Sequence, residues 1–210
     1  MQDSDKILVL APHTDDGELG AGATIAKYLA EGRVVHYAAF SLCRKSLPDG
    51  LPGDTLEKEC REATHILGIP SDQLHFFDFH VREFDIQRQA ILEDLVKLNK
   101  TLNPELIFIP SASDKHQDHQ VIHTEALRAF KQATVLGYEL PWNHESFRST
   151  YFIKLSAGEI EKKIAAINAY KSQAHRNYMQ EDFIRSLARV RGVQCGAEYA
   201  EAFEVYKMID

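Results

Sequence analysis

The run Ala11-Pro12-His13-Thr14-Asp15-Asp16 follows directly on the apolar stretch Lys6-Ile7-Leu8-Val9-Leu10. About a hundred residues further on, Leu106-Ile107-Phe108-Ile109-Pro110 leads through Ser111-Ala112-Ser113-Asp114-Lys115 into His116-Gln117-Asp118-His119. One imidazole and two adjacent carboxylates at the end of a buried strand are unfavourable unless something cationic sits among them, because unpaired buried charge is costly. Two such strand ends would deliver His and Asp to one place. Zinc takes imidazole nitrogen and carboxylate oxygen, and a catalytic site uses three protein ligands and keeps a position open for water. The two runs supply such a set, with carboxylates left over for proton transfer. Any one of these residues alone, in a chain with 10 histidines, would read as a core side chain or a helix cap. The coincidence of both runs, each behind an apolar strand, favours chemistry. His36, His65, His75, His80, His123, His144 and His175 lack such company and read as structural.

The elements that must position these runs follow from apolar spacing. Residues 6–10 form a short continuous apolar run bounded by Pro12, as expected of a strand buried on both faces. Residues 22–32 place Ile25, Tyr28 and Leu29 on one helical stripe and stop at Gly32. The pattern then predicts strands over 34–42, 73–79 and 105–110, and helices over 55–67, 86–102 and 121–132. Residues 43–54 hold Pro48, Gly50, Pro52 and Gly53, a turn-rich loop that reads equally as a substrate loop or a plain connection. Beyond Gln132 the pattern loosens. Residues 138–143 read as loop or edge, 149–155 as a strand, 156–172 as a helix capped by Ser156, 182–191 as a helix, and 199–205 as loop passing into strand. Alternating strand and helix predicts a Rossmann-like α/β fold, a mostly parallel sheet with helices on both faces, whose ligand crevice lies at the carboxyl ends of the strands. Both His/Asp runs fall on that edge.

With 210 residues and 44% apolar side chains, the chain is read as one domain, 1–210, with a single substantial core. A balance of 24 Lys plus Arg against 31 Asp plus Glu, net −7, argues against nucleic acid as a partner. The three cysteines, Cys43, Cys60 and Cys195, are far apart and form no metal-type pair. Met1-Gln2-Asp3-Ser4-Asp5 has no basic n-region, and no apolar run is long enough to span a membrane, so a cytoplasmic protein is expected. Glycines at 17, 20 and 22 invite a dinucleotide-binding reading. It fails because the third small position is Ile25, and the second strand ends in Ala39-Phe40-Ser41-Leu42-Cys43 with no acid to hold a ribose. The glycines are expected instead to let the helix pack close to the strand end.

His13-Thr14-Asp15-Asp16 taken with His116-Gln117-Asp118-His119 resembles the paired motifs of the LmbE-like (PIG-L) zinc deacetylases. Gly20-Ala21-Gly22, the acidic segment from Glu59 to Leu67-Gly68, Tyr170-Lys171-Ser172-Gln173, and Arg191-Gly192 with Tyr199-Ala200-Glu201-Ala202-Phe203 are similar to further landmarks of that family. By position, the resemblance implies metal ligands at His13, Asp16 and His119, and a general base at Asp15. It implies at His116 the histidine that stabilises the charged intermediate, with Asp118 as its partner. The commonest family form has proline at position 14 and an acid at 17, where this chain has Thr14 and Gly17 followed by Glu18. Thr14 lies between ligands and need not touch metal; what Glu18 does is left open, either anchoring that turn or facing the site.

The implied activity is removal of acetyl from an N-acetylated amino sugar or glycoconjugate with Zn2+ as cofactor, and family members often form homo-oligomers. Zinc in such a site lowers the pKa of a water toward about 7 and polarises an amide carbonyl. Two rival classes stand beside this reading: a zinc hydrolase of another amide or an ester, and a non-catalytic sugar- or metal-binding module. The presence of both Asp15 and His116 argues against the second. Arg44, Arg82, Arg191 and Trp142 are the candidates for substrate contacts.

Overall fold

The computed structural model describes residues 6–48 and 50–209, so the 1–5 stretch read above for a leader, Asp49 of the 43–54 loop, and Asp210 lie outside the described residues. The chain runs β1 (Lys6–His13), α1 (Asp16–Ala30), β2 (Val34–Ser41), α2 (Thr55–Leu67), β3 (Leu74–Phe76), α3 (Arg88–Leu102), β4 (Leu106–Pro110), α4 (Gln117–Ala129), β5 (Thr134–Tyr138), β6 (Tyr151–Leu155), α5 (Ala157–Ile167), α6 (Glu181–Cys195) and β7 (Tyr199–Lys207). The seven strands form one sheet in the order β3-β2-β1-β4-β5-β7-β6. The first five run parallel, while β7 is antiparallel to both β5 and β6. The mostly parallel α/β sheet predicted from the alternation is therefore present.

Strand alternation divides the core in two. Ile7, Val9 and Ala11 of β1 face one layer, packed with Leu19 and Ile25 of α1, Cys60 of α2, Ile160 and Ile164 of α5 and Ile184 of α6. Leu8 and Leu10 face the other, against Ile91 and Leu95 of α3 and Ile122 of α4. Burial on both faces explains why β1 reads as an unbroken apolar run.

Four departures from the periodicity have local causes. α1 starts at Asp16, six residues before the helix read from the pattern, and is broken at Ala21 (φ −142°, ψ 15°). Its first turn is Gly-rich because α1 lies hard against the strands: a Cβ at Gly17 would run into the Tyr37 ring, and one at Gly20 into Tyr138. α4 begins at Gln117 rather than 121, so the second motif sits on a helix N-terminus. β5 was hidden by Gly137 and by its brevity, and Gly137 is needed where the Tyr206 ring crosses the strand. The long helix expected after Ser156 keeps its capping box with Glu159 but ends at Ile167, leaving 171–173 as a separate turn. Among the described residues no helix is long and apolar enough to cross a membrane.

Candidate metal centre and active site

The strand order reverses between β1 and β4, and a crevice opens there at the carboxyl ends of the strands. His13 is the last residue of β1, and Asp15 and Asp16 begin α1. β4 ends at Pro110, and the turn after it carries Asp114 and His116 into α4, whose first turn holds Asp118 and His119.

Three donor atoms converge across these two strand ends. His13 Nδ1 lies 3.1 Å from Asp16 Oδ2, His119 Nε2 lies 3.2 Å from the same oxygen, and the two ring nitrogens are 3.1 Å apart. Ligand atoms at about 2.0 Å from a tetrahedral ion are about 3.3 Å from one another, so this triangle has the size of three corners of a zinc-like coordination sphere. His13, His116 and His119 form a looser set, with donor atoms within 4.8 Å of one another. The tighter triangle, which includes a carboxylate, is the better fit to a divalent ion.

The far nitrogen of each histidine is held by a buried carboxylate. His13 Nε2 contacts Asp118 Oδ2 at 3.0 Å, and His119 Nδ1 contacts Asp114 Oδ2 at 2.7 Å. With those nitrogens as donors, Nδ1 of His13 and Nε2 of His119 are left as acceptors facing the common point, the tautomers a metal requires. Asp118 also accepts the backbone N–H of Arg82 at 2.6 Å, and Arg82 takes a left-handed backbone (φ 67°) to deliver it. Asp114 accepts the His116 N–H at 2.8 Å and the Asn143 side-chain amide at 3.2 Å.

The pairing of Asp118 with His116 read from the sequence is therefore corrected. The Asp118 carboxylate serves His13, while His116 caps α4 by accepting the backbone N–H of Asp118 at Nδ1, 3.2 Å away. That bond places the His116 ring proton on Nε2. Burial, followed by the charges of His13 and His119, pushes the pKa of His116 down to about 4, so the ring is neutral at pH 7.

The charges in the triangle are strongly coupled. Burial opposes ionisation of Asp16, but His119 and His13 outweigh it and hold this carboxyl well below the usual range. Burial likewise lowers His13 and His119, and Asp16 with the two supporting carboxylates overrides it, raising them to about 9 and about 10. Asp15 differs. Burial and then the neighbouring Asp16 raise it to about 6, and Asp15 lines the cleft.

Behind the motif, the Thr14 carbonyl accepts from Tyr37 at 3.0 Å and from Tyr170 at 2.6 Å, and both hydroxyls also meet the fully buried Glu18, Tyr170 at 2.9 Å. Glu18 thus anchors the turn, which answers the question its position raised. Burial raises it to about 8. The break in α1 is closed by Glu201, which accepts from Ala23 N at 3.2 Å and Thr24 N at 2.8 Å, and by Lys163, which donates to Leu19 O at 2.7 Å and to Glu201 at 2.6 Å.

The cleft above the triangle has a volume of about 240 Å3. Of the four proposed substrate contacts only Trp142 lines it. Arg44 is engaged by Asp78 and Gly53 O, Arg191 by Glu139 and Gln194, and Arg82 contributes its backbone. Sequence reasoning assigned no site role to Asn143, Gln173, Arg176 and Tyr178, which also line the cleft; Gln173 closes the Tyr170-Lys171-Ser172-Gln173 landmark, and the other three lie in segments without motif or periodicity. Asp114 could have been found, since it lies in the same run as the second histidine cluster.

Known proteins of related sequence share this fold. The deacetylase YaiS of Escherichia coli is 29% identical over 170 residues, spanning 79% of this chain and 90% of that protein. Diacetylchitobiose deacetylase of Thermococcus kodakarensis is 25% identical, spanning 95% and 82% of the two chains. Among solved structures, N,N'-diacetylchitobiose deacetylase from Pyrococcus horikoshii superposes with a TM-score of 0.81 at 22% identity, over 97% of this chain and 84% of that one. The hydratase GalB of Pseudomonas putida does so with a TM-score of 0.81 at 22% identity, over 98% of each chain, so the fold alone does not select a reaction. The family model for PIG-L, the GlcNAc-PI de-N-acetylases, matches residues 8–130, which carry both strand ends and every side chain of the triangle, and the chain belongs to that family.

Proposed function

We propose that this protein is a zinc-dependent N-deacetylase that hydrolyses the acetamido group of an amino sugar or sugar conjugate, with His13, Asp16 and His119 as metal ligands. The observation that carries the reading is the donor triangle with 3.1 to 3.2 Å edges beside Asp15, a carboxylate that lines the same cleft. A zinc ion held there supplies Lewis acidity toward the acetyl carbonyl and acidifies a water molecule.

The chain's own residues supply the rest. Asp15, raised to about 6, is ionised at neutral pH yet basic enough to take the proton of the attacking water. His116, neutral and capped at Nδ1, offers its Nε2–H to the oxygen that gains charge as the carbonyl becomes tetrahedral. The proton on Asp15 is then available to the departing amine as the C–N bond breaks, leaving acetate and the free amino sugar. Asp114 and Asp118 act through the ligands they orient. Family membership supports this chemistry, and the Thermococcus and Pyrococcus deacetylases are named for an acetylated amino sugar, diacetylchitobiose.

The test is to incubate zinc-loaded protein with N-acetylglucosamine, diacetylchitobiose and N-acetylglucosaminides, and to quantify acetate. Release from none of them, by protein whose zinc content is one per chain, would end the proposal.

A further inference from the structure

Two turns contribute to the cleft wall: the one that leads from β4 into α4, with His116, and the one at Pro141–Asn143 that follows β5, with Trp142 and Asn143. Backbone groups and small side chains tie them together. Lys115 N donates to Asn143 O at 3.1 Å. His144 Nε2 accepts from Leu140 N at 3.1 Å, which leaves the ring proton on Nδ1, and Nδ1 donates to Ser113 Oγ at 3.0 Å. Ser113 Oγ in turn donates to Ser146 O at 2.8 Å. A further contact crosses between the turns: the side-chain amide of Asn143 donates to Asp114 Oδ2 at 3.2 Å.

The amide contact adds little to a junction that three other bonds already hold, and it ends on an oxygen with another task. Asp114 Oδ2 is the atom that accepts His119 Nδ1 at 2.7 Å, while Oδ1 accepts the His116 backbone N–H at 2.8 Å. Asp114 is 1% exposed, so its oxygens depend on donors from the protein. A carboxylate only accepts, so the Asn143 amide must turn Nδ2 toward it. Oδ2 is thereby held from two directions, and the carboxylate cannot swing without losing one of them. Asn143 lies beyond the residues 8–130 that the family model matches. We propose that Asn143 is a positioning residue for the metal centre: its amide fixes the Asp114 carboxylate, and through it the direction in which His119 Nε2 faces the common point of the triangle. This rests on His119 as a metal ligand and extends the site to a turn after β5. The competing role, contact with the sugar from the cleft wall, would act only when substrate is present.

The experiment measures zinc affinity by chelator competition without substrate, so that a contact of Asn143 with the sugar cannot contribute. Asn143→Ala should weaken zinc binding about threefold to tenfold, less than the roughly 10- to 100-fold expected of Asp114→Ala, because the amide acts one bond further from the metal. Asn143→Gln keeps an amide donor and should recover part of the loss. On the Asp114→Ala background the added Asn143→Ala should cost nothing more, since the two side chains act in series. Ser113→Ala cuts the tie through His144 and Ser146 but spares the amide, and should leave zinc affinity at the wild-type value. In the metal-free protein the His119 Nδ1–H resonance should shift in Asn143→Ala and hold its position in Ser113→Ala, with circular dichroism confirming the fold of each variant. Unchanged zinc affinity in Asn143→Ala, a loss that Ser113→Ala equals, or losses of Asn143→Ala and Asp114→Ala that simply add would overturn the proposal and leave the metal ligands standing. Zinc affinity unchanged in His119→Ala would instead remove the ligand assignment, and the proposal with it.

Discussion

Asp118→Ala tests the correction to the second motif directly. The carboxylate is fully buried and accepts from Arg82 N at 2.6 Å, His13 Nε2 at 3.0 Å and, more weakly, Phe84 N at 3.4 Å. Its removal strands two part-buried donors, at up to about 1 to 3 kcal/mol each where no water enters. Part of that loss falls on fold stability through the Arg82 turn. The His13 part falls on the metal, because the imidazole loses the acceptor that fixes its tautomer. Removing such a support lowers metal affinity by about 10- to 100-fold, or about 1.4 to 2.7 kcal/mol. The bond from the Asp118 backbone to His116 Nδ1 survives the substitution, so the placement of His116 should not change. Zinc affinity is to be measured by chelator competition in Asp118→Ala, His116→Ala and the double variant, with circular dichroism to confirm folding. The expected result is a large effect from Asp118→Ala, a small one from His116→Ala, and sums that add within about 0.5 kcal/mol. Wild-type zinc affinity in Asp118→Ala together with a collapse of kcat would refute the reasoning, since it would mean that the carboxylate acts through His116 after all.

Asp15→Asn should keep zinc and lose kcat by at least about a hundredfold, the lower range for a positioned general base; full activity would remove the base assignment. Loading zinc onto the metal-free protein at pH 7 should release between one and two protons, read by calorimetry in buffers of different ionisation enthalpy, because His13 and His119 are raised to about 9 and about 10 and must lose their protons to become ligands. The sign follows from the raised values. In the metal-free protein their pairing with Asp16 stabilises the fold fully below about pH 6.5 and fades as pH rises through 9 to 10, while zinc affinity strengthens over the same window. Proton release near zero would contradict this. Lys163→Met leaves Glu201 charged at 6% exposure without its partner, and urea unfolding should show a loss of about 3 to 5 kcal/mol; an unchanged midpoint would show that the two N–H donors of α1 suffice.

The parts of the site that were legible are those in which chemistry and periodicity coincide. Lys6 to Leu10 and Leu106 to Pro110 are buried on both faces, so their apolar runs announce strands, and the polar residues at their ends stand out against them. The two His/Asp runs stand out for that reason, while the choice of His13, Asp16 and His119 within them is what the family resemblance implies. Which carboxylate serves which imidazole could not be read, because it depends on how α4 starts. With α4 read from 121, Asp118 lies in a loop beside His116 and seems its natural partner. With α4 starting at Gln117, His116 becomes the cap, Asp118 enters the first turn and turns toward β1, and Asp114 takes over His119. A shift of four residues in a helix boundary thus exchanges the partners of a catalytic network.

The C-terminal contribution was hidden for a different reason. Lys163 lies on α5 and Glu201 on β7, 38 residues apart, and each looks like an ordinary surface charge in its own segment. What makes them an internal pair is the break at Ala21, which frees the N–H groups of Ala23 and Thr24 and the carbonyl of Leu19 inside the core. Buried backbone groups must be paired, and at a broken helix only a side chain of opposite character can reach them. Before the break the first turn of α1 lies close against the strands, Gly17 on Tyr37 and Gly20 on Tyr138, and it carries Asp16, with Asp15 as its cap, over the strand ends. The glycines, the buried ion pair and the metal ligands are therefore one arrangement. A larger residue at Gly20 should disturb metal binding even though that position touches none of the ligands.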